Sequence, residues 1–266
     1  MRFVDLDTAK RAEGMRLVLL KGAPSPWSQA AKAIVELKGI DALGVWMRAG
    51  DPEVTTWTGI PNAPVAMYRG EPSYSGWAEI LNLAERLAPT PSLIPTDVER
   101  RIQMFGLANE LLGQQGLVWN ARLMAVDLGF QTRGQHGWAL PAAEYLGSRY
   151  GYREGCGPDA AARFEAILGV LDARLLQGQR LTGPYYFGRE MSALDIYSAT
   201  VLDSLIPLPH DVCPLPAKTR AAFESRLDAI RPLVPESLLA HRDMMHEQHI
   251  PLPMDIGLGP QESSNP

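Results

Sequence analysis

Residues 186–197 read Tyr186-Phe187-Gly188-Arg189-Glu190-Met191-Ser192-Ala193-Leu194-Asp195-Ile196-Tyr197. Ser192 stands three residues before Asp195, the spacing of a capping box in which Asp replaces Glu and each residue satisfies an N–H that a helix start leaves open. Ile196, Ala199 and Leu202 follow at three-residue steps, so one side of the helix is apolar and belongs in a core. Taken alone, the segment is a well-capped core helix.

Reading back from it, residues 96–208 show helical periodicities broken by Gly and Pro clusters and no convincing strand pattern, which predicts an all-α domain. Its start is Thr96-Asp97-Val98-Glu99, itself resembling a capping box, and Pro89, Pro91 and Pro95 just before it mark a domain boundary. The N-terminal part reads differently. Met15–Leu20 (MRLVLL) is a short Leu- and Val-rich run ended by Lys21-Gly22, the pattern of a buried strand. Ser25-Pro26-Trp27 then starts a helix, with Ser25 at the N-cap and Pro26 at N1, where its missing N–H costs nothing. That helix ends at Gly39, and Leu43–Met47 is a second strand.

Residues 49–64 carry Gly50, Pro52, Gly59, Pro61 and Pro64, so this connection holds at most a brief helix. Val65–Tyr68 is a third strand, Arg69-Gly70-Glu71 turns toward a short fourth, and Ser75 opens a helix whose Ile80, Leu83, Ala84 and Leu87 form one stripe. The order is βαβ followed by ββα, a small mixed sheet with one parallel crossover. Five parts follow: a polar leader (1–14), a sheet domain (15–89), a linker (90–95), an all-α domain (96–249) and a Pro-rich tail (250–266) that either drapes over the body or is disordered.

The composition is that of an ordinary globular protein: 266 residues, 46% hydrophobic and 21% charged. With 25 basic against 30 acidic side chains the net charge is -5, which gives no broad attraction for nucleic acid or anionic lipid. Two cysteines, Cys156 and Cys213, make no disulfide framework and fit a cytoplasmic setting. The N-terminus lacks the apolar segment of a signal peptide, and no run is long enough to span a membrane. His241, His246 and His249 cluster without a recognised metal spacing or an evident acidic partner, so no metal is expected.

Tyr186-Phe187-Gly188 with the SALDIY box, about 120 residues after a βαβ-ββα unit, resembles the capping box of the glutathione transferase superfamily. Residues 25–40 (SPWSQAAKAIVELKGI) resemble the first helix of that family's thioredoxin-like domain, and Ala63-Pro64-Val65 its Val-Pro-Val segment. The resemblance covers roughly residues 15–235. It implies a thioredoxin-like α/β N-terminal domain that binds glutathione as co-substrate, an all-α C-terminal domain, a cytoplasmic homodimer and detoxification by attack of the glutathione thiolate on a small apolar electrophile. It also implies that Pro64 is cis, which turns the backbone groups of Ala63 outward to pair with the cysteinyl backbone of glutathione.

Family members carry Glu/Asp-Ser at the third helix to hold the γ-glutamyl carboxylate. Here Ser75-Gly76 stands at those positions, one residue out of step. No Tyr precedes Tyr68 and no Cys precedes Cys156, so the Tyr- and Cys-type members are excluded and a thiol reductase is disfavoured. The resemblance points to Ser25 as the thiolate-activating hydroxyl, with Ser28 in reserve; the alternative for Ser25 is a helix cap and nothing more. Trp27, Met104, Trp119, Trp138 and Tyr145 are candidates for the second-substrate pocket, and the loop 129–141 with His136 for its cover. The rival reading is a binding protein that keeps the fold without efficient glutathione chemistry.

Overall fold

A computed structural model describes residues 1–181 and 183–258. Its sheet holds four strands, β1 (Arg2–Phe3), β2 (Met15–Leu20), β3 (Ala42–Met47) and β4 (Val65–Tyr68), in the order β1-β3-β2-β4. β2 is an inner strand and almost wholly buried, which is why its sequence is apolar on both faces except at Arg16, whose guanidinium donates to Gly14 O at 2.7 Å. β2 pairs parallel with β3, as the βαβ reading requires, and antiparallel with β4.

Two sequence expectations change here. Residues 1–14 are more than a polar leader: Arg2–Phe3 extends the sheet by pairing parallel with β3, and α1 (Leu6–Arg11), capped by Asp5, buries Ala9. Phe3 stacks on Trp46 at 4.4 Å between ring centroids, so the edge is anchored by an aromatic pair too distant in sequence for local reading to find. The expected fourth strand after Arg69-Gly70-Glu71 shrinks to a single bridge between Ala66 and Tyr74.

The sheet-domain helices are α2 (Pro26–Leu37), α3 (Pro52–Thr58) and α4 (Trp77–Leu87). They are followed by α5 (Val98–Leu112), α6 (Leu117–Gln131), α7 (Leu140–Tyr150), α8 (Gly157–Arg180), α9 (Ala193–Leu205), α10 (Ala217–Glu224), α11 (Leu227–Ile230) and α12 (Glu236–Gln248). α5 is capped by Asp97, which accepts the N–H of Arg100. α9 is buried along its whole length and packs against α2, α5 and α12, so it ties the helical domain to the sheet domain.

Asp195 is the hub of that junction. Its carboxylate accepts the Ser192 N–H at 2.8 Å, the Ser192 hydroxyl at 2.9 Å and the Tyr186 N–H at 3.0 Å, and His241 Nε2 lies 3.0 Å away. A fully buried carboxylate is tolerated because each oxygen meets donors. Two of the three C-terminal histidines therefore do have acidic partners, contrary to the sequence expectation: His241 meets Asp195 and His246 meets Asp203, both on α9, while His249 meets the Tyr185 hydroxyl. Tyr197 continues the contact across the domains, edge-on to Trp77 at 5.5 Å.

The described part of the tail drapes over the body, one of the two expected outcomes. The Gly22 N–H donates to Ile256 O at 2.8 Å, and Gln29 Nε2 donates to Asp255 O. Residues 259–266 lie outside the described residues.

Candidate active site between the domains

The N-terminus of α2 opens onto a cavity of about 620 Å³, within the size range of small-molecule sites. From the sheet domain its wall takes Ser25, Trp27, Ala63, Pro64 and Ser75. From the helical domain it takes Trp119, Arg122, Tyr145, Arg149 and Tyr150. The two sides are joined by Trp27 Nε1, which donates to Leu112 O at 3.0 Å, and by Arg149, which donates to Asn62 Oδ1 at 2.5 Å.

Ser25 is the N-cap of α2 and is only 7% exposed. Its Oγ accepts the Ser28 N–H at 3.4 Å. A hydroxyl carries one proton and two acceptor lone pairs, so capping leaves the Ser25 O–H free to donate, and the two roles considered for this residue are compatible. Ser28 is different. It is fully buried, its Oγ accepts the Leu20 N–H at 3.1 Å at the end of β2, and it is not on the cavity wall.

The Ala63–Pro64 bond is cis. Pro64 is buried, Ala63 is half-buried, and the N–H and C=O of Ala63 have no hydrogen-bond partner among the described residues.

At α4 the start shifts by one residue. Gly76, not Ser75, is the N-cap, and Glu79 reaches back to accept the Gly76 N–H at 2.9 Å and the Ser75 N–H at 3.3 Å. With glycine at the cap, only the Glu half of a capping box can exist. Ser75 reaches the cavity wall; Gly76 does not. A carboxylate of this chain therefore holds the N–H groups that a carboxylate ligand would use.

Of the expected pocket residues, Trp27, Trp119 and Tyr145 line this cavity. Met104 does not: it is fully buried in the core with Ala108 and Leu111. Trp138 walls a smaller neighbouring cavity instead. His136 is exposed in the loop between α6 and α7, with its N–H donating to Thr132 Oγ1.

Arg122 escaped the sequence reading because a lone Arg in a helical pattern carries no signal. Its guanidinium lies 4.7 Å over the Trp27 ring and 4.8 Å over the Tyr150 ring, and it donates to the Tyr150 hydroxyl. Burial pushes its pKa down to about 9, with Arg226 and Arg149 acting in the same direction. Neither cysteine touches the cavity. Cys213 is buried against Met254, and burial raises its thiol to about 11, so it is protonated and inert.

Among the described residues no group of His, Cys, Asp and Glu has metal-site geometry, and no helix is long and apolar enough to cross a membrane. No protein-family model matches the sequence, and no curated protein matches it. Solved structures do. A parallel-cored sheet with a proline-led antiparallel edge, set against a helical domain across a cleft, defines a thioredoxin-like domain joined to an all-α one. The chain has the glutathione transferase fold: a glutathione S-transferase from Methylobacillus flagellatus KT with GSH bound superposes with a TM-score of 0.58 at 17% identity, over 88% of this chain and 96% of that one. A glutathione transferase family member from Pseudomonas fluorescens Pf-5 with two glutathione bound gives 0.56 at 15% identity, over 92% and 97%. Glutathione transferase Omega 3C from Trametes versicolor gives 0.53 at 16% identity, over 91% and 89%.

Proposed function

We propose that the protein is a glutathione transferase whose cavity binds glutathione and activates its thiolate for attack on a small electrophile with an apolar body. The observation that carries this reading is the convergence of Ser25, the Ala63–Pro64 cis segment and Ser75 on one cavity. The structural neighbours from M. flagellatus and P. fluorescens hold glutathione, which is consistent with it.

In this reading the backbone of Ala63 pairs with the cysteinyl backbone of the tripeptide, and Ser75 and the α4 start receive its γ-glutamyl end. The Ser25 hydroxyl donates to the sulfur, and the positive end of the α2 dipole adds to it; both stabilise the thiolate over the thiol. The thiol proton leaves to solvent. A carbon–sulfur bond then forms at the electrophile as its leaving group departs with the bonding electron pair.

The second reading is a glutathione transferase-fold binding protein with little turnover. It is favoured by one observation, the Glu79 carboxylate on the N–H groups of Ser75 and Gly76. Calorimetric titration with glutathione separates the two: saturation at millimolar concentration supports the enzyme, and no heat with no thermal shift supports the binding protein.

The enzyme reading includes a homodimer. Val98 and Ile102, one turn apart on α5, are 69% and 67% exposed, and large apolar side chains so placed favour a second copy.

A further inference from the structure

A second cavity of about 180 Å³ adjoins the first at Ser25, and Ala63 and Pro64 are not on its wall. Leu20, Ser25, Arg122 and Leu146 line both. Most of the inner wall is apolar, including Val118, Leu205 and Phe223. A dry protein cavity of about 150 Å³ holds benzene, so this lobe has room for one aromatic ring or a short branched chain.

The charged groups on that wall, Arg122 and Arg226, are both cations, and beside them stand the Trp138 indole and the Ser25 and Ser204 hydroxyls. Arg226 is 4% exposed; its Nη2 donates to Ser204 O at 2.6 Å and its Nε to Phe223 O at 3.4 Å, which leaves Nη1 without a protein partner. Its guanidinium lies 5.0 Å over the Trp138 ring. Arg122 spends one nitrogen on the Tyr150 hydroxyl, and its Nε and Nη2 have no protein partner. Trp138 Nε1 is a buried donor with no acceptor. Among the described residues neither arginine pairs with a carboxylate, although isolated buried cations are costly. Burial lowers both guanidinium pKa values, and Arg226 lowers that of Arg122 further, which an anion in the lobe would relieve.

We propose that the second substrate is an anionic electrophile, an aryl or short-chain carboxylate, whose carboxylate enters this lobe between Arg122 and Arg226 and accepts the Trp138 Nε1–H. This names the substrate class of the transferase reading and rests on it for the reaction, though not for the binding. Ser25 stands at the junction of the two lobes, so an electrophile anchored this way presents its reactive carbon toward the thiolate side.

The test uses a matched pair, a chlorodinitrobenzoate and the corresponding chlorodinitrobenzene, with each kcat/KM divided by its uncatalysed rate constant. The wild-type protein should favour the carboxylate by roughly tenfold to a hundredfold, the scale of one charge-assisted hydrogen bond. Arg122→Met and Arg226→Met should each abolish most of that preference. A wild-type protein with no preference, or a preference that survives both substitutions, overturns the proposal and leaves the transferase reading intact.

Arg226 also holds Ser204 O and its variant can be unstable, so benzoate is titrated calorimetrically into the wild-type protein as well. Saturable binding that competes with the electrophile but not with glutathione supports the proposal. Absence of binding overturns it, and so does competition with glutathione, which would assign the arginines to a carboxylate of the tripeptide. Benzoate binding that needs Arg122, in a protein that turns over neither electrophile, would sink the transferase reading and keep the anionic lobe.

Discussion

Glu79 closes the N-terminus of α4 on itself, with its Oε2 2.9 Å from the backbone nitrogen of Gly76. Any ligand carboxylate that uses this helix start must displace an exposed carboxylate of the same sign. Glu79→Gln removes the charge and should tighten glutathione binding by about two- to fivefold, the scale of one charge at a helix terminus. Gly76→Ser should act in the same direction, because a Cβ there would approach the flexible end of Glu79 at 3.0 Å and push it aside. Calorimetry on both variants checks this, and weaker binding in both would place the γ-glutamyl end elsewhere.

Asp195→Ala should be among the most damaging single changes in the chain. It strands the Ser192 and Tyr186 N–H groups and a buried histidine in the joint between domains. The loss should be about 3 to 5 kcal/mol, the cost of removing one partner from a buried charged network. Urea unfolding measures it, and a loss below about 1 kcal/mol would show that solvent reaches the site.

His246 supplies a pH signature. Burial alone would lower its pKa, but the hydrogen bond and charge of Asp203 outweigh burial and hold it above the ordinary 6.5. Both ring nitrogens face acceptors, Asp203 at Nε2 and Ile250 O at Nδ1, so the doubly protonated ring is the one that fits. Because the folded-state value is raised, the stabilisation is complete below the unfolded pKa and is lost as pH rises through the folded one. The stability gap between wild type and His246→Gln should therefore narrow from about pH 6.5 upward. Thermal unfolding at several pH values reads this; a gap that widens with pH would reverse the assignment.

The sheet domain and the α9 box were legible because their signals are local: a run of apolar residues, Ser-Pro at a helix start, Ser and Asp three apart. Ser25 is legible locally as a helix cap, whereas Ala63, Pro64 and Ser75 stand out only through the family resemblance; all four lie on one cavity wall. What stayed hidden is non-local. Phe3 needs Trp46 to become an edge strand, and Glu79 becomes a ligand competitor only when α4 starts at Gly76. Met104 and Trp27 look equally apolar in sequence, yet one is buried in the core and the other lines the cleft. Arg122 and Arg226, 104 positions apart by their numbers, form a site only once α6 and the segment before α11 meet.

Light scattering at micromolar concentration should give about twice the chain mass for the wild-type protein. The double variant Val98→Glu, Ile102→Glu should give the single-chain mass, since two buried charges per copy oppose an apolar contact. A monomeric wild type would remove the dimer from the proposal.

The central claim is that the Ser25 hydroxyl stabilises a thiolate at the start of α2. Its most direct test is the ultraviolet absorbance of bound glutathione thiolate, titrated against pH in wild type and Ser25→Ala. The account predicts a bound thiol pKa below that of free glutathione in the wild type, a rise in Ser25→Ala, and a roughly ten- to hundredfold lower turnover with affinity largely kept. Equal pKa values in the two proteins, with turnover changed less than about twofold against that expectation, would contradict it and leave Ser25 as a helix cap.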